Sequence, residues 1–227
     1  MQRVIEVMGI PDLCWAYGLA EASPNVVLSD PRDPLALRIA GRALPRPGID
    51  LRIADAQSGA VLPPETLGEI QSRGWGVMRG YSNNPDATAK SFTPDGWLRT
   101  GDLGVLDADG RLGLVGRLKD VLRVGGENVA PAEVEEVLLA HPAIAMAQVV
   151  GIPDTRLGEV PVAFVTLRQD APLTEAALLN WLCPRLANFR MPRQLRIVPD
   201  FEAIGMTASG KVQKTKLREH AIGLFVD

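Results

Sequence analysis

The sequence predicts an α+β protein in two parts, a β-rich, distorted barrel-like subdomain followed by a small α+β domain. Three observations carry this. From about Ile39 to Gly116, short apolar runs are separated by Gly, Pro and Asp, the punctuation of strands. Beyond Arg117-Leu118-Lys119-Asp120 the texture changes to alternating strand-like and helix-like stretches. A length of 227 residues also suits two small domains, since domains commonly run to roughly 100–150 residues. The predicted parts are 1–116, a hinge at 117–120, and 121–227.

Residues 1–35 have short apolar runs and a Pro/Asp-rich stretch from Ser29 to Pro34, and they look like the tail of something larger. Strands are predicted at Leu51–Ile53, Gly68–Gln71 and Leu112–Val115. Asp109-Gly110, between Leu103–Leu106 and Leu112–Val115, predicts a hairpin turn, because Gly and Asp tolerate positive φ. Asp107-Ala108-Asp109-Gly110 also has a trace of a calcium loop, but it lacks helical flanks and a distal glutamate, so the turn is preferred. In the second part a strand at Val121–Val124 precedes a helix opened by Pro131, a residue favoured at the first helical position. Val134, Val137 and Leu138 form its apolar stripe and His141-Pro142 ends it. Strands at Met146–Val150 and Val160–Leu167, a helix from Thr174 to Leu182, a strand at Leu195–Val198 and a last helix from Lys214 to His220 complete a compact module.

Composition excludes several classes. The formal charge of -3 gives no general positive field for a nucleic acid. Two cysteines, Cys14 and Cys183, make neither a disulfide framework nor a zinc cluster, and a reducing cytoplasm is expected. No stretch approaches the roughly 18 uninterrupted apolar residues of a membrane span, so a soluble protein without an integral membrane segment is expected. The two histidines are poorly set for catalysis: His141 precedes a helix-ending proline, and His220 lies in the final helix. There is no Gly-x-Ser-x-Gly elbow, and Gly74-Trp75-Gly76 lacks dinucleotide spacing.

Four segments could carry chemistry. Gly205-Met206-Thr207-Ala208-Ser209-Gly210-Lys211-Val212 nearly spells a P-loop, yet Val212 lacks the hydroxyl that such a loop offers to Mg²⁺. What remains is a lysine on a small polar loop, suited to an oxyanion, or else a solvated basic patch with Lys214, Lys216 and Arg218, which the local sequence alone favours. In Trp97-Leu98-Arg99-Thr100-Gly101-Asp102-Leu103-Gly104 the carboxylate of Asp102, in a Gly-bounded turn, could accept two hydrogen bonds from a vicinal diol; capping the turn is the plainer role. Gly125-Gly126-Glu127-Asn128 either lets backbone approach a ligand or only makes a tight turn. Trp15-Ala16-Tyr17-Gly18-Leu19-Ala20-Glu21 offers aromatic rings for a base and a carboxylate for a metal, or core aromatics and a surface acid.

In this order, the segments closely resemble the adenylate-forming, AMP-binding superfamily of acyl-CoA synthetases, luciferases and peptide-synthetase adenylation domains. Tyr17–Glu21 is similar to its Tyr-Gly-x-Thr-Glu segment, Gly68–Tyr81 to its Gly-Glu-(Ile/Leu)…Gly-Tyr segment and Leu98–Leu103 to its Thr-Gly-Asp motif. Gly116–Glu136 resembles the hinge and following helix, and Thr207–Lys214 the C-terminal Gly-Lys motif. The resemblance implies that residues 1–116 end a large N-terminal AMP-binding domain and that 121–227 form a mobile C-terminal domain. It implies that Tyr17 stacks against adenine, with Gly18 also binding the nucleotide, that Glu21 is a catalytic residue that helps hold Mg²⁺, and that Asp102, supported by Arg117, binds the ribose hydroxyls. Lys119 is the implied hinge. Lys211 is the implied catalytic lysine, neutralising charge as a carboxylic acid attacks the α-phosphate of ATP to give acyl-AMP and pyrophosphate. Domain rotation would then bring Gly125, Gly126 and Glu127 to line the passage for CoA, whose thiol attacks the acyl-AMP.

Ala20 stands where the family has Thr, and Gly205 where it has Pro. The family's Ser/Thr/Gly-rich phosphate loop, which lies upstream of the Tyr17 segment, is not found in this sequence. The resemblance therefore implies the C-terminal portion of an acyl-CoA ligase, expected to be inactive alone. The alternatives are a non-catalytic remnant that binds AMP or a partner, and half of a split enzyme that works with a separate N-terminal chain; an oligomer is compatible with either.

Overall fold

The computed structural model describes residues 2–168, 172–208 and 210–226. The chain forms two compact units, Met1–Leu118 and Lys119–Asp227. The first contains α1 (Gln2–Met8), β1 (Ala16–Tyr17), β2 (Val27–Leu28), α2 (Leu35–Ile39), β3 (Arg42–Ala43), β4 (Ile49–Ala54), β5 (Gly68–Gly74), α3 (Pro85–Ser91), β6 (Leu98–Leu106) and β7 (Leu112–Arg117). Strands β3-β7-β6-β5-β4 make one antiparallel sheet, and β1 pairs with β2 separately.

The sheet is open rather than barrel-like. Its edges, β4 and the two-residue β3, do not pair with each other among the described residues, and a barrel requires its edges to meet. The predicted hairpin at Asp109-Gly110 is present, with Asp107 Oδ1 accepting the N–H groups of Asp109 and Arg111. That carboxylate is spent on the turn, as expected of an Asp-led loop. One apolar cluster that includes Ile49, Ile53, Ile70, Leu98 and Leu112 backs the sheet, and Tyr17, Val26 and Val27 belong to it.

The second unit contains β8 (Leu122–Val124), β9 (Glu127–Val129), α4 (Pro131–Leu139), β10 (Ile144–Asp154), β11 (Gly158–Leu167), α5 (Glu175–Leu182), β12 (Gln194–Ile197), α6 (Glu202–Gly205) and α7 (Lys214–Phe225). The long β10–β11 hairpin is its spine, joined in parallel by β12 and touched by β8. Because side chains alternate across a strand, Ala147, Val149, Ala163 and Val165 face one cluster with Val134 and Leu138 of α4 and Leu178 and Leu182 of α5. Val150, Ile152, Val160, Val162 and Phe164 face a second cluster with Phe201, Leu217 and Ala221. A hairpin covered on both faces explains why its strands read as nearly continuous apolar runs. Thr174 caps α5 by accepting the Ala177 N–H, which places the start of that helix where a capping residue allows it.

Candidate active site

In the first unit the chemistry-bearing residues converge on Asp102. Gly101 adopts φ +69°, a left-handed conformation that a Cβ would strain, and it sits inside β6 rather than in the turn the sequence suggested. Glu69 and Gln71 of β5 pair with Leu103 and Arg99, so Thr100, Gly101 and Asp102 bulge opposite Ile70. The strand is continuous on both sides because the side chain of Thr100 hydrogen-bonds across the gap, donating to the Ile70 carbonyl at 2.7 Å.

Asp102 is only 6% exposed, yet both carboxylate oxygens are engaged. Tyr17 Oη donates to Oδ2 at 2.8 Å, and Arg117 Nε approaches Oδ1 at 3.1 Å. Arg117 lies directly opposite Asp102 in the β6–β7 register, and its side chain is 53% exposed, so the pair opens to the surface on the arginine side. A carboxylate offers about four lone-pair sites, which leaves two for an incoming diol. Burial pushes the Tyr17 phenol well above its ordinary value of 10.0, and the Asp102 charge adds to this. The phenol therefore remains a donor to Asp102 at neutral pH.

The segment after Tyr17 is tightly wound. A Cβ on Gly18 would fall 1.5 Å from the Pro24 carbonyl oxygen, so no side chain fits there without the loop moving. Glu21, in a 3-10 turn over Ala20–Ala22, accepts from the Tyr81 hydroxyl at 2.9 Å, and its carbonyl accepts the Met78 N–H at 2.8 Å. That contact raises the Tyr81 phenol pKa as well, chiefly because the hydrogen bond to Glu21 favours the protonated form. Tyr17 and Asp102 are thus brought together; Glu21 stands four residues from Tyr17, with Tyr81 rather than Asp102 as its partner.

Lys119 is exposed, in a 3-10 turn over Leu118–Asp120. In the second unit, Gly125 (φ +60°) and Gly126 (φ +94°) are the two central residues of the β8–β9 hairpin, a pattern that calls for glycine. Glu127 and Asn128 are exposed at the start of β9. Lys211 is exposed on a closed turn: Met206 bridges Val212, the Thr207 N–H donates to the Lys211 carbonyl at 2.9 Å, and the Lys211 N–H donates to Thr207 Oγ1 at 3.0 Å. Ser209 lies outside the described residues. Helix α7 begins only at Lys214, so Lys211 precedes the helix instead of standing in its first turn, unlike a P-loop lysine. Behind this turn Lys214 Nζ meets Glu135 Oε1 of α4 at 2.8 Å, and the same oxygen accepts the Val149 N–H. The sequence motifs framed Thr100, Tyr81, Glu135 and Lys214 without giving them partners; the Thr100 bond to Ile70, the Tyr81 bond to Glu21 and the Glu135–Lys214 ion pair come from the structure.

Two segments of the chain match known families. Residues 1–82, which include Tyr17, Gly18 and Glu21, match the AMP-binding enzyme family, and residues 133–211, ending on Lys211, match the AMP-binding enzyme C-terminal domain. YngI of Bacillus subtilis is 41% identical over 227 residues, covering 99% of this chain and 40% of that protein. The sulfoacetate–CoA ligase of Cupriavidus necator is 39% identical over 218 residues, covering 96% of this chain and 40% of the relative. Among solved structures, ATP-bound MatB from Rhodopseudomonas palustris superposes with a TM-score of 0.86 at 32% identity, covering 94% of this chain and 41% of that one. The chain spans about 40% of the length of these relatives. With a family segment at each end and relatives aligned across nearly its whole length, the chain belongs to the AMP-binding enzyme family, whose acyl-CoA synthetases and CoA ligases are its homologues.

Proposed function

We propose that this chain supplies the ribose-binding wall and the lysine-bearing C-terminal domain of an ATP-dependent acid–thiol ligase that converts a carboxylic acid to acyl-AMP and then to a CoA thioester. The observation that carries the reading is the carboxylate of Asp102, buried, oriented by Tyr17 and Arg117, and still able to accept a vicinal diol. Tyr17 and Gly18 would flank the adenine. Lys211 supplies mobile positive charge to the α-phosphate as the acid attacks, and Lys119 is the hinge about which 121–227 turns. The β8–β9 hairpin, with Gly125, Gly126 and Glu127, then lines the CoA passage.

Mg²⁺ fits as an accompanying ion. Among the described residues no three His, Cys, Asp or Glu side chains converge as a metal site, but Mg²⁺ is commonly held by one or two carboxylates together with substrate phosphates. Glu21 has one oxygen not bonded to Tyr81, and it would be the single protein ligand. Two free thiols, Cys14 and Cys183, and no helix long and apolar enough to cross a membrane among the described residues suit a cytoplasmic setting.

AMP titrated into the 227-residue chain, followed by NMR, is expected to shift the signals of Tyr17, Asp102 and Arg117. Asp102→Asn should weaken binding about tenfold, the loss of roughly 1.4 kcal/mol expected when a charged acceptor is removed. Unaltered AMP binding by Asp102→Asn would overturn the assignment. A second reading is an AMP-binding element without chemistry, or half of a split enzyme. Carboxylate-dependent ATP–pyrophosphate exchange by the chain, alone and with a separate chain carrying the remaining AMP-binding sequence, separates these readings.

A further inference from the structure

We propose that Thr100 is the positioning residue for the diol-binding carboxylate of Asp102, an inference that rests on the ribose-binding reading and deepens it. In a regular antiparallel ladder the Ile70 carbonyl would receive an N–H from the facing strand. At Thr100-Gly101-Asp102 that ladder is interrupted, and the register jumps from Gln71↔Arg99 to Glu69↔Leu103. Across this bulge the Thr100 hydroxyl donates to the Ile70 carbonyl at 2.7 Å. The same oxygen accepts the Asp102 N–H at 3.1 Å. One hydroxyl therefore bonds two backbone groups at the bulge, one on each strand. It also fixes the backbone of the residue whose side chain must bind. Gly101 supplies the positive φ that the bend needs, but it has no atoms to hold the bend in place. Tyr17 and Arg117 hold the carboxylate itself, while the Thr100 hydroxyl, which also lies against the Tyr17 phenol, holds the backbone beneath it.

The role predicts a dependence on the hydroxyl rather than on bulk. Valine keeps the shape of threonine and loses both hydrogen bonds, whereas serine loses a methyl group and keeps both. The discriminating ligands are AMP and its 2′,3′-dideoxy analogue, titrated into the 227-residue chain by NMR, because their affinity ratio reads the diol contact and cancels contributions from base and phosphate. In the wild type AMP should bind about tenfold more tightly than the analogue. Asp102→Asn should bring the ratio to about one. Thr100→Val should lower it at least about threefold while the analogue's own affinity stays within about twofold, and Thr100→Ser should retain the wild-type ratio.

If the ratio is near one in the wild type, or no nucleotide binds, the ribose-binding reading fails and the Thr100 inference with it. If Asp102→Asn collapses the ratio but Thr100→Val preserves it, or if Thr100→Ser falls as far as Thr100→Val, the inference alone is overturned. Should Thr100→Val not fold, hydrogen exchange in the wild type decides: the Asp102 amide is expected to be protected about as well as that of Leu103, and exchange at the rate of an open loop would overturn the inference.

Discussion

At the scale of single residues, the site is a set of donors aimed at one buried carboxylate, and this makes its behaviour at high pH predictable. Both tyrosines, Tyr17 and Tyr81, have phenols raised above 10.0, Tyr17 mainly by burial and Tyr81 mainly by its bond to Glu21. A group whose folded pKa exceeds its unfolded value contributes stability that is complete below the unfolded value and is lost as pH rises toward the folded one. Stability of the first unit should therefore fall above pH 10, and Tyr17→Phe should flatten that fall while weakening AMP binding at neutral pH. Urea midpoints from pH 8 to 11 check this, and an unchanged slope in Tyr17→Phe would contradict the buried, bonded phenol. Lys211 is the opposite kind of residue, exposed and held through its backbone. In an enzyme completed with the remaining AMP-binding sequence, Lys211→Ala should abolish adenylation yet spare thioester formation from supplied acyl-AMP. Half-reaction assays read the two steps separately, and equal loss of both would refute a role confined to adenylation.

At the scale of elements, the Lys211 turn is anchored through helix α7. Glu135 of α4 joins Lys214 at the start of α7 and the Val149 N–H of β10 with a single oxygen, and both side chains of the ion pair are mostly buried. Removing the carboxylate leaves a cation and a backbone donor without a partner, so Glu135→Ala should destabilise the second unit by about 1–3 kcal/mol. Lys214→Met, which keeps the apolar stem, should cost less, since Glu135 retains the Val149 N–H. Denaturant unfolding of the two variants tests the ordering. This clamp was not legible in the sequence, because Glu135 and Lys214 lie 79 positions apart and no local pattern joins them. Elements with an apolar stripe or a capping signal were legible: α4 begins at Pro131, and the strand expected at Leu51–Ile53 extends to Ile49–Ala54. Helix α3 escaped despite Asn84 capping Ala87 and Pro85 in its first turn, because it buries no residue and so shows no periodicity. Within the site, Gly101 and Asp102 stood out by type, but the Tyr17 donor 85 positions away and the bulge set by Thr100 depend on strand register, which only pairing defines.

At the scale of the whole molecule, the two units differ in how completely they cover their apolar surface. Among the described residues, the second unit covers both faces of the β10–β11 hairpin with its own helices and leaves few large apolar side chains exposed, Leu139, Leu224 and Val226. The first unit exposes many more, including Val7, Met8, Val61 and Trp75. A unit that buries its own core can fold alone, whereas one with extensive exposed apolar surface gains from a covering partner. Residues 119–227 produced alone should therefore keep a dispersed amide spectrum and unfold cooperatively, with a midpoint within about 5 °C of the corresponding transition in the full chain, a shift of order 1 kcal/mol for a domain of this size. Residues 1–118 produced alone should bind a hydrophobic dye and self-associate, and addition of the remaining AMP-binding sequence as a separate chain should suppress both. A second unit that loses its cooperative transition when isolated, or a first unit that stays monomeric and dye-free, would show that the division of apolar surface does not govern how this chain folds.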